Sequence, residues 1–129
     1  MSAANLMKSF EGIREILSEI LDVEENRITP ETYLVRDLDA ESIDLLELAV
    51  AINKRFGIEV KDEEIFLIRL RRHLKEAQQK GVGIRQYLSE QYPALKRERI
   101  EEILADLEEG PVLKVEDLVS YVDVSRSTY

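Results

Sequence analysis

The chain has 129 residues, 44% hydrophobic and 35% charged, with a formal net charge of -9 and no cysteine. That length gives one domain a real core but makes two ordinary domains cramped, and regularly spaced apolar residues separate it from a disordered chain. The acidic balance repels nucleic acid and suits partners with basic docking surfaces, while the missing cysteines exclude disulfides and thiolate metal sites.

The start of the chain has no basic stretch followed by an apolar run, and no apolar run reaches the length of a membrane span. The expectation is a cytoplasmic protein, monomeric and able to fold without a partner. Its charge is unevenly spread. Through Ile65 there are 7 Lys and Arg against 16 Asp and Glu, whereas from Phe66 to Pro111 the count is 9 against 8.

Taken in chain order, Leu6, Met7, Phe10, Ile13, Ile16, Leu17, Ile20 and Leu21 repeat at three and four residues, which predicts a helix over about 5–22 with Ser2 or Asn5 as cap. A long loop through Pro30 follows, anchored inward by Tyr33, Leu34 and Leu38. The second helix is expected near Ser42, carrying Ile43, Leu46, Leu48, Val50 and Ile52 and ending before Gly57. After the short Ile58–Val60 stretch, Asp62 is expected to cap a helix running on through Phe66, Leu67, Leu70, Leu74 and Ala77 to Gly81. Two further helical stretches are read at Ile84–Tyr92, stopped by Pro93, and at about Leu95–Leu107. A last helix covers Val115–Val122, leaving 123–129 as a loose tail.

The chemistry is concentrated in Asp37-Leu38-Asp39-Ala40-Glu41-Ser42-Ile43-Asp44-Leu45-Leu46-Glu47-Leu48. A serine in the first exposed turn of a helix offers a reachable hydroxyl, and a phosphodiester there would face free backbone N–H groups and the positive helix end. No base accompanies it. Taken alone, Ser42 also fits a plain helix cap.

The wider pattern adds Ile28-Thr29-Pro30-Glu31-Thr32, Leu34, Phe56-Gly57-Ile58-Glu59-Val60, Asp62-Glu63-Glu64 and the closing Val115-Glu116-Asp117-Leu118-Val119-Ser120-Tyr121-Val122. Together these segments resemble the acyl carrier protein family over roughly 5–65 and 112–122. The resemblance implies an all-α fold: a four-helix acyl-carrier-type bundle with about three extra helical segments inserted between helix three and the final helix. It implies a non-catalytic carrier whose 4'-phosphopantetheine arm is attached at Ser42 by a separate phosphopantetheinyl transferase and carries acyl groups as thioesters for lipid or fatty-acid biosynthesis. By position, Ile43 packs beside the arm, and Glu41, Asp44 and Glu47 form the helix face read by acyl-loading and acyl-transferring enzymes. The chain departs from the family at Glu41, usually Asp, at Lys54 and Arg55, where many members are acidic, and at Lys61, usually proline.

The expected organisation is one carrier domain with an insertion over 66–111, an addition that points to a dedicated pathway. Its apolar residues are too many to leave in water, so its helices should pack onto the bundle, either reshaping the acyl pocket or presenting Arg69, Arg71, Arg72 and Lys75 as a second docking surface; the plain alternative is a solvated basic face over a structural extension. An unmodified helical interaction module with a carrier-like fold is the rival reading. Other signals are weaker. His73 reads as part of a solvated basic face, Tyr87 and Tyr92 as half-buried packing, and Gly81-Val82-Gly83 as a helix break. No Gly-x-Ser-x-Gly elbow surrounds Ser42, and Asp37, Asp39 and Glu41 fail as a calcium loop because Ser42 and Leu48 stand where Gly and Glu are needed.

Overall fold

Apolar residues at three-and-four spacing bring the long helices together. The computed structural model describes residues 3–127, with side chains from residue 8 onward. α1 (Ala3–Leu21) is already helical at Ala3, so Asn5 lies inside the helix. Ser2 and the side chains of Leu6 and Met7 lie outside the described residues. Ile13, Ile16 and Leu17 are buried where α1 packs on α2 (Ser42–Phe56) and α7 (Val115–Ser127). Each fully buried Leu or Ile here contributes about 1.5–3 kcal/mol relative to exposure. A Cβ at Gly12 would lie 2.7 Å from Phe56 Cζ, so a glycine lets the end of α2 close on α1.

The long loop from α1 to α2 is ordered by its own backbone. Leu34 and Leu38 are buried as the spacing predicts, and Tyr33 is half-buried. The loop also clasps the start of α7: Leu34 N–H donates to Leu113 O, and Val115 and Glu116 N–H donate to Thr32 O and Pro30 O. The single antiparallel bridge between Tyr33 and Lys114 belongs to this clasp; no strand forms among the described residues.

The helix expected from Asp62 to Gly81 is two helices. α3 (Asp62–Ile65) ends after one turn, and α4 (Leu70–Lys80) starts afresh. Between them Leu67 takes φ +55°, Leu67 N–H donates to Glu64 O and Ile68 N–H donates to Glu63 O. This is the hydrogen-bond pattern that closes a helix at a left-handed residue, usually glycine. A leucine resists that conformation, and burial of its side chain at 7% exposure offsets the strain. Periodicity ran through the break because Phe66 and Leu70 stay inward on both sides of it. The helix cap also differs: Lys61, not Asp62, precedes α3, and its N–H donates to the Tyr121 hydroxyl of α7.

α4, α5 (Ile84–Gln91) and α6 (Arg97–Asp106) pack in sequence on one another. Leu70, Leu88, Tyr92, Leu95, Ile100 and Ile103 belong to one continuous apolar core with the bundle residues. His73 is not on a solvated face. Its half-buried ring lies 5.5 Å from that of Tyr92 and 6.0 Å from that of Tyr87, with Nδ1 3.0 Å from Glu76 Oε1. Tyr92 is fully packed, not half-buried, and burial pushes its hydroxyl up to about 12.

Two polar clusters fasten the far end of the added helices. Arg99 of α6 is 6% exposed; its Nε and Nη2 donate to both carboxylate oxygens of Asp117 on α7 at 2.7 and 2.9 Å, and Nη2 also reaches Val112 O. Burial works against the guanidinium charge, but the hydrogen bond and charge of Asp117 outweigh it and raise the Arg99 pKa. The second cluster joins the loop before α2 to the end of α6. Tyr33 Oη donates to Asp106 Oδ2 at 2.6 Å, while Arg36 donates to Asp106 Oδ1 and Gly110 O and lies over the Tyr33 ring.

α7 continues to Ser127, past the expected stop at Val122. Asp123, expected in a loose tail, is buried and accepts a hydrogen bond from Ser9 of α1. The contact is part of the packing of α7 along α1.

Arg99→Ala should destabilise the fold by about 3–5 kcal/mol in chemical denaturation, because it strands a buried carboxylate. A loss under about 1 kcal/mol would show that Asp117 finds water instead. The Asp106 carboxyl is held below its usual range, first by the Tyr33 hydroxyl and then by Arg36. Its contribution is therefore present above the unfolded value of about 3.9 and is lost as pH falls through the lower folded value. Tyr33→Phe should move the Asp106 carboxyl carbon titration to higher pH in NMR; an unmoved midpoint would rule out the Tyr33 bond.

Candidate functional site

The approach to α2 is fixed over the preceding six residues. Asp39 N–H donates to Val35 O and Ala40 N–H to Leu34 O, and Asp39 takes φ +55°, a conformation aspartate tolerates better than most residues. This closes the turn and sends Ala40 inward at 8% exposure, leaving Glu41 extended at the helix cap. The Glu41 N–H donates to Asp44 Oδ2 at 2.8 Å, half of a capping box. Ser42 is thus the first residue inside the helix, not its cap, and it is exposed. The capping reading of Ser42 fails on this geometry, since Glu41 and Asp44 already do that work.

α2 points two faces in different directions. Leu48, Ala49 and Ile52 go into the core, whereas Ile43, Leu46 and Val50 are 61%, 60% and 56% exposed. The latter three, at three-and-seven spacing, share the outer side of the helix. Glu41 and Glu47 are exposed and Asp44 is half-exposed, so the sequence-derived residues Glu41, Ser42, Ile43, Asp44 and Glu47 are gathered at one end of one helix. Asp44 has a second use that the sequence reading missed, as the acceptor that starts the helix. At the other end Lys54 and Arg55 are exposed, Arg55 pairing with Glu15 of α1 at 2.9 Å.

The clusters around Arg36 and Arg99 also escaped the sequence reading. Their partners lie 70 and 18 residues away, beyond any local spacing signal. Among the described residues no group of His, Asp or Glu side chains could hold a metal ion, and no helix is long and apolar enough to cross a membrane.

Chemically, the exposed Ser42 hydroxyl in the first turn of a helix of 15 residues has, among the described residues, no hydrogen-bonded base to make it a nucleophile of its own. It can accept a group from another enzyme, and the positive helix end suits a phosphodiester on it. Residues 11–73 match the family model described as "Phosphopantetheine attachment site". The chain is 41% identical over 58 residues to an acyl carrier protein of Helicobacter pylori (strain G27), covering 45% of this chain and 74% of that protein. It is 40% identical over 58 residues to an acyl carrier protein of Helicobacter hepaticus (strain ATCC 51449 / 3B1), covering 45% and 76%. With a match of that extent laid over this helix arrangement, the chain belongs to the acyl carrier protein family, whose covalently attached prosthetic group is 4'-phosphopantetheine.

Proposed function

We propose that Ser42 is the attachment serine, that a phosphopantetheinyl transferase modifies it, and that the chain then delivers acyl thioesters to enzymes of a dedicated cytoplasmic pathway. The observation that carries this reading is Ser42 exposed at the first position of α2 with capping left to Glu41 and Asp44. The hydroxyl would hold the phosphate, and the first-turn N–H groups would face it. When bound, the group supplies a thiol for thioester formation, which no side chain of this cysteine-free chain can do.

The docking reading is supported by the same helix. Glu41, Asp44 and Glu47 recur every three residues, and exposed Ile43, Leu46 and Val50 lie beside them. An apolar stripe edged by carboxylates offers an enzyme both buried area and charge steering. We further read 1–129 as a single carrier domain, bundle 5–65 and 112–122 with the insertion 66–111, which the continuous core favours.

Ser42→Ala should fold like the parent and lose all mass addition when coexpressed with a transferase; mass addition that persists in the alanine variant would move the attachment elsewhere. Glu47→Lys should slow acyl transfer by a cognate enzyme roughly 5- to 10-fold at low ionic strength, the gap narrowing as salt screens it. Equal rates at low salt would place the enzyme on another face.

A further inference from the structure

A groove of about 490 Å³ lies between the bundle and the added helices, within the usual range of about 300–1,000 Å³ for small-molecule sites. Its bundle wall is Val35 of the loop and Leu45 of α2. Leu45 follows Ser42 by three residues, so the two share a face and the groove opens one helical turn from the serine. The opposite wall is built by Ile68, at the break between α3 and α4, and by Leu107 and Val112 where the chain returns. The left-handed turn at Leu67 puts Ile68 on this wall at 57% exposure; an unbroken helix would have carried it elsewhere.

The charges around this groove are one-sided. In a chain of net charge -9, every charged residue lining it is an arginine: Arg69, Arg71 and Arg72. Arg71 Nη2 donates to Leu107 O at 2.9 Å, and Arg69 pairs with Glu63 at 3.0 Å. Arg72 has no carboxylate partner among the described residues. Apolar walls accept a hydrocarbon chain, and guanidinium groups at their margin match a carboxylate in its plane. A neutral chain would use the walls and leave the arginines idle.

We propose that this groove holds an acyl chain carried at Ser42 whose far end bears a carboxylate, so that the insertion selects dicarboxylic over monocarboxylic cargo. The inference rests on the carrier reading for its tether, and the groove itself is testable without it. The full chain is modified from octanoyl and from suberyl coenzyme A, which differ only in the terminal carboxylate, and the thioester is cleaved with hydroxylamine. The suberyl form should be cleaved about 5- to 10-fold more slowly and should shift the amide signals of Leu45, Ile68, Arg72 and Leu107. Arg72→Gln, and the double variant Arg71→Gln with Arg72→Gln, should bring the suberyl rate to the octanoyl rate without changing the latter. Equal rates in the parent, or a suberyl advantage that survives both variants, would overturn the inference while leaving the carrier reading intact. In the unmodified chain, free octanoate should shift the same amides and octanamide should not; the two acting alike would remove the anion site. If no mass is added from either coenzyme A ester, the carrier reading falls with the tether, and the octanoate comparison still decides the groove.

Discussion

Arg99 holds a guanidinium charge at 6% exposure, and the chain has arranged two oxygens of Asp117 and the carbonyl of Val112 around it. A buried charge without partners would cost several kcal/mol, so these contacts must all form together. Asp117 also accepts the Lys114 N–H at the start of α7. One residue of the added helices therefore fixes both the return of the chain and the first turn of the last bundle helix. The bundle and its addition are held in one geometry by this pair, and the clasp between 30–34 and 113–116 sits next to it.

The Arg36, Tyr33 and Asp106 cluster, next to it through the Tyr33–Lys114 bridge, extends that geometry to the loop before α2. It ties the end of α6 to the loop leading into α2, a few residues before Ser42. The added helices are thus fastened both to the last helix and to the approach of the proposed attachment serine. The groove with its three arginines is a product of these two fastenings plus the break at Leu67. Such a break spends some stability on a leucine in a left-handed conformation, which the burial of its side chain offsets.

α2 shows a different compromise. Three large apolar side chains face outward on it, against the ordinary drive to bury them, while Leu48 and Ile52 are wholly buried on the inner face. A helix with apolar groups on both sides and carboxylates between them fits the docking face proposed for it as well as the core. Its N-terminal capping by Glu41 and Asp44 uses the acidic residues for folding too, so Asp44 carries a structural duty that a docking interpretation alone would overlook.

The serine at the head of α2, the acidic helix and Gly57 as its stop were all legible in the sequence, because each depends on residues within a turn or two of one another. The long loop with Leu34 and Leu38 inward was legible for the same reason. What periodicity could not see was the break at Leu67, since the apolar register continues across it and no glycine marks it. It also did not separate the outer apolar stripe of α2 from the inner one, because apolar character does not say which side of a helix has a neighbour. Nor could it see that His73 is enclosed by Tyr87 and Tyr92, or that Asp123 is held by Ser9. The sequence by itself determined the local helices and the motif at Ser42. Tertiary structure alone decided the pairings of Arg36 with Asp106 and Arg99 with Asp117, and the groove between the bundle and the added helices, because those depend on long-range packing that brings distant residues together, the first pair half-buried and the second out of water.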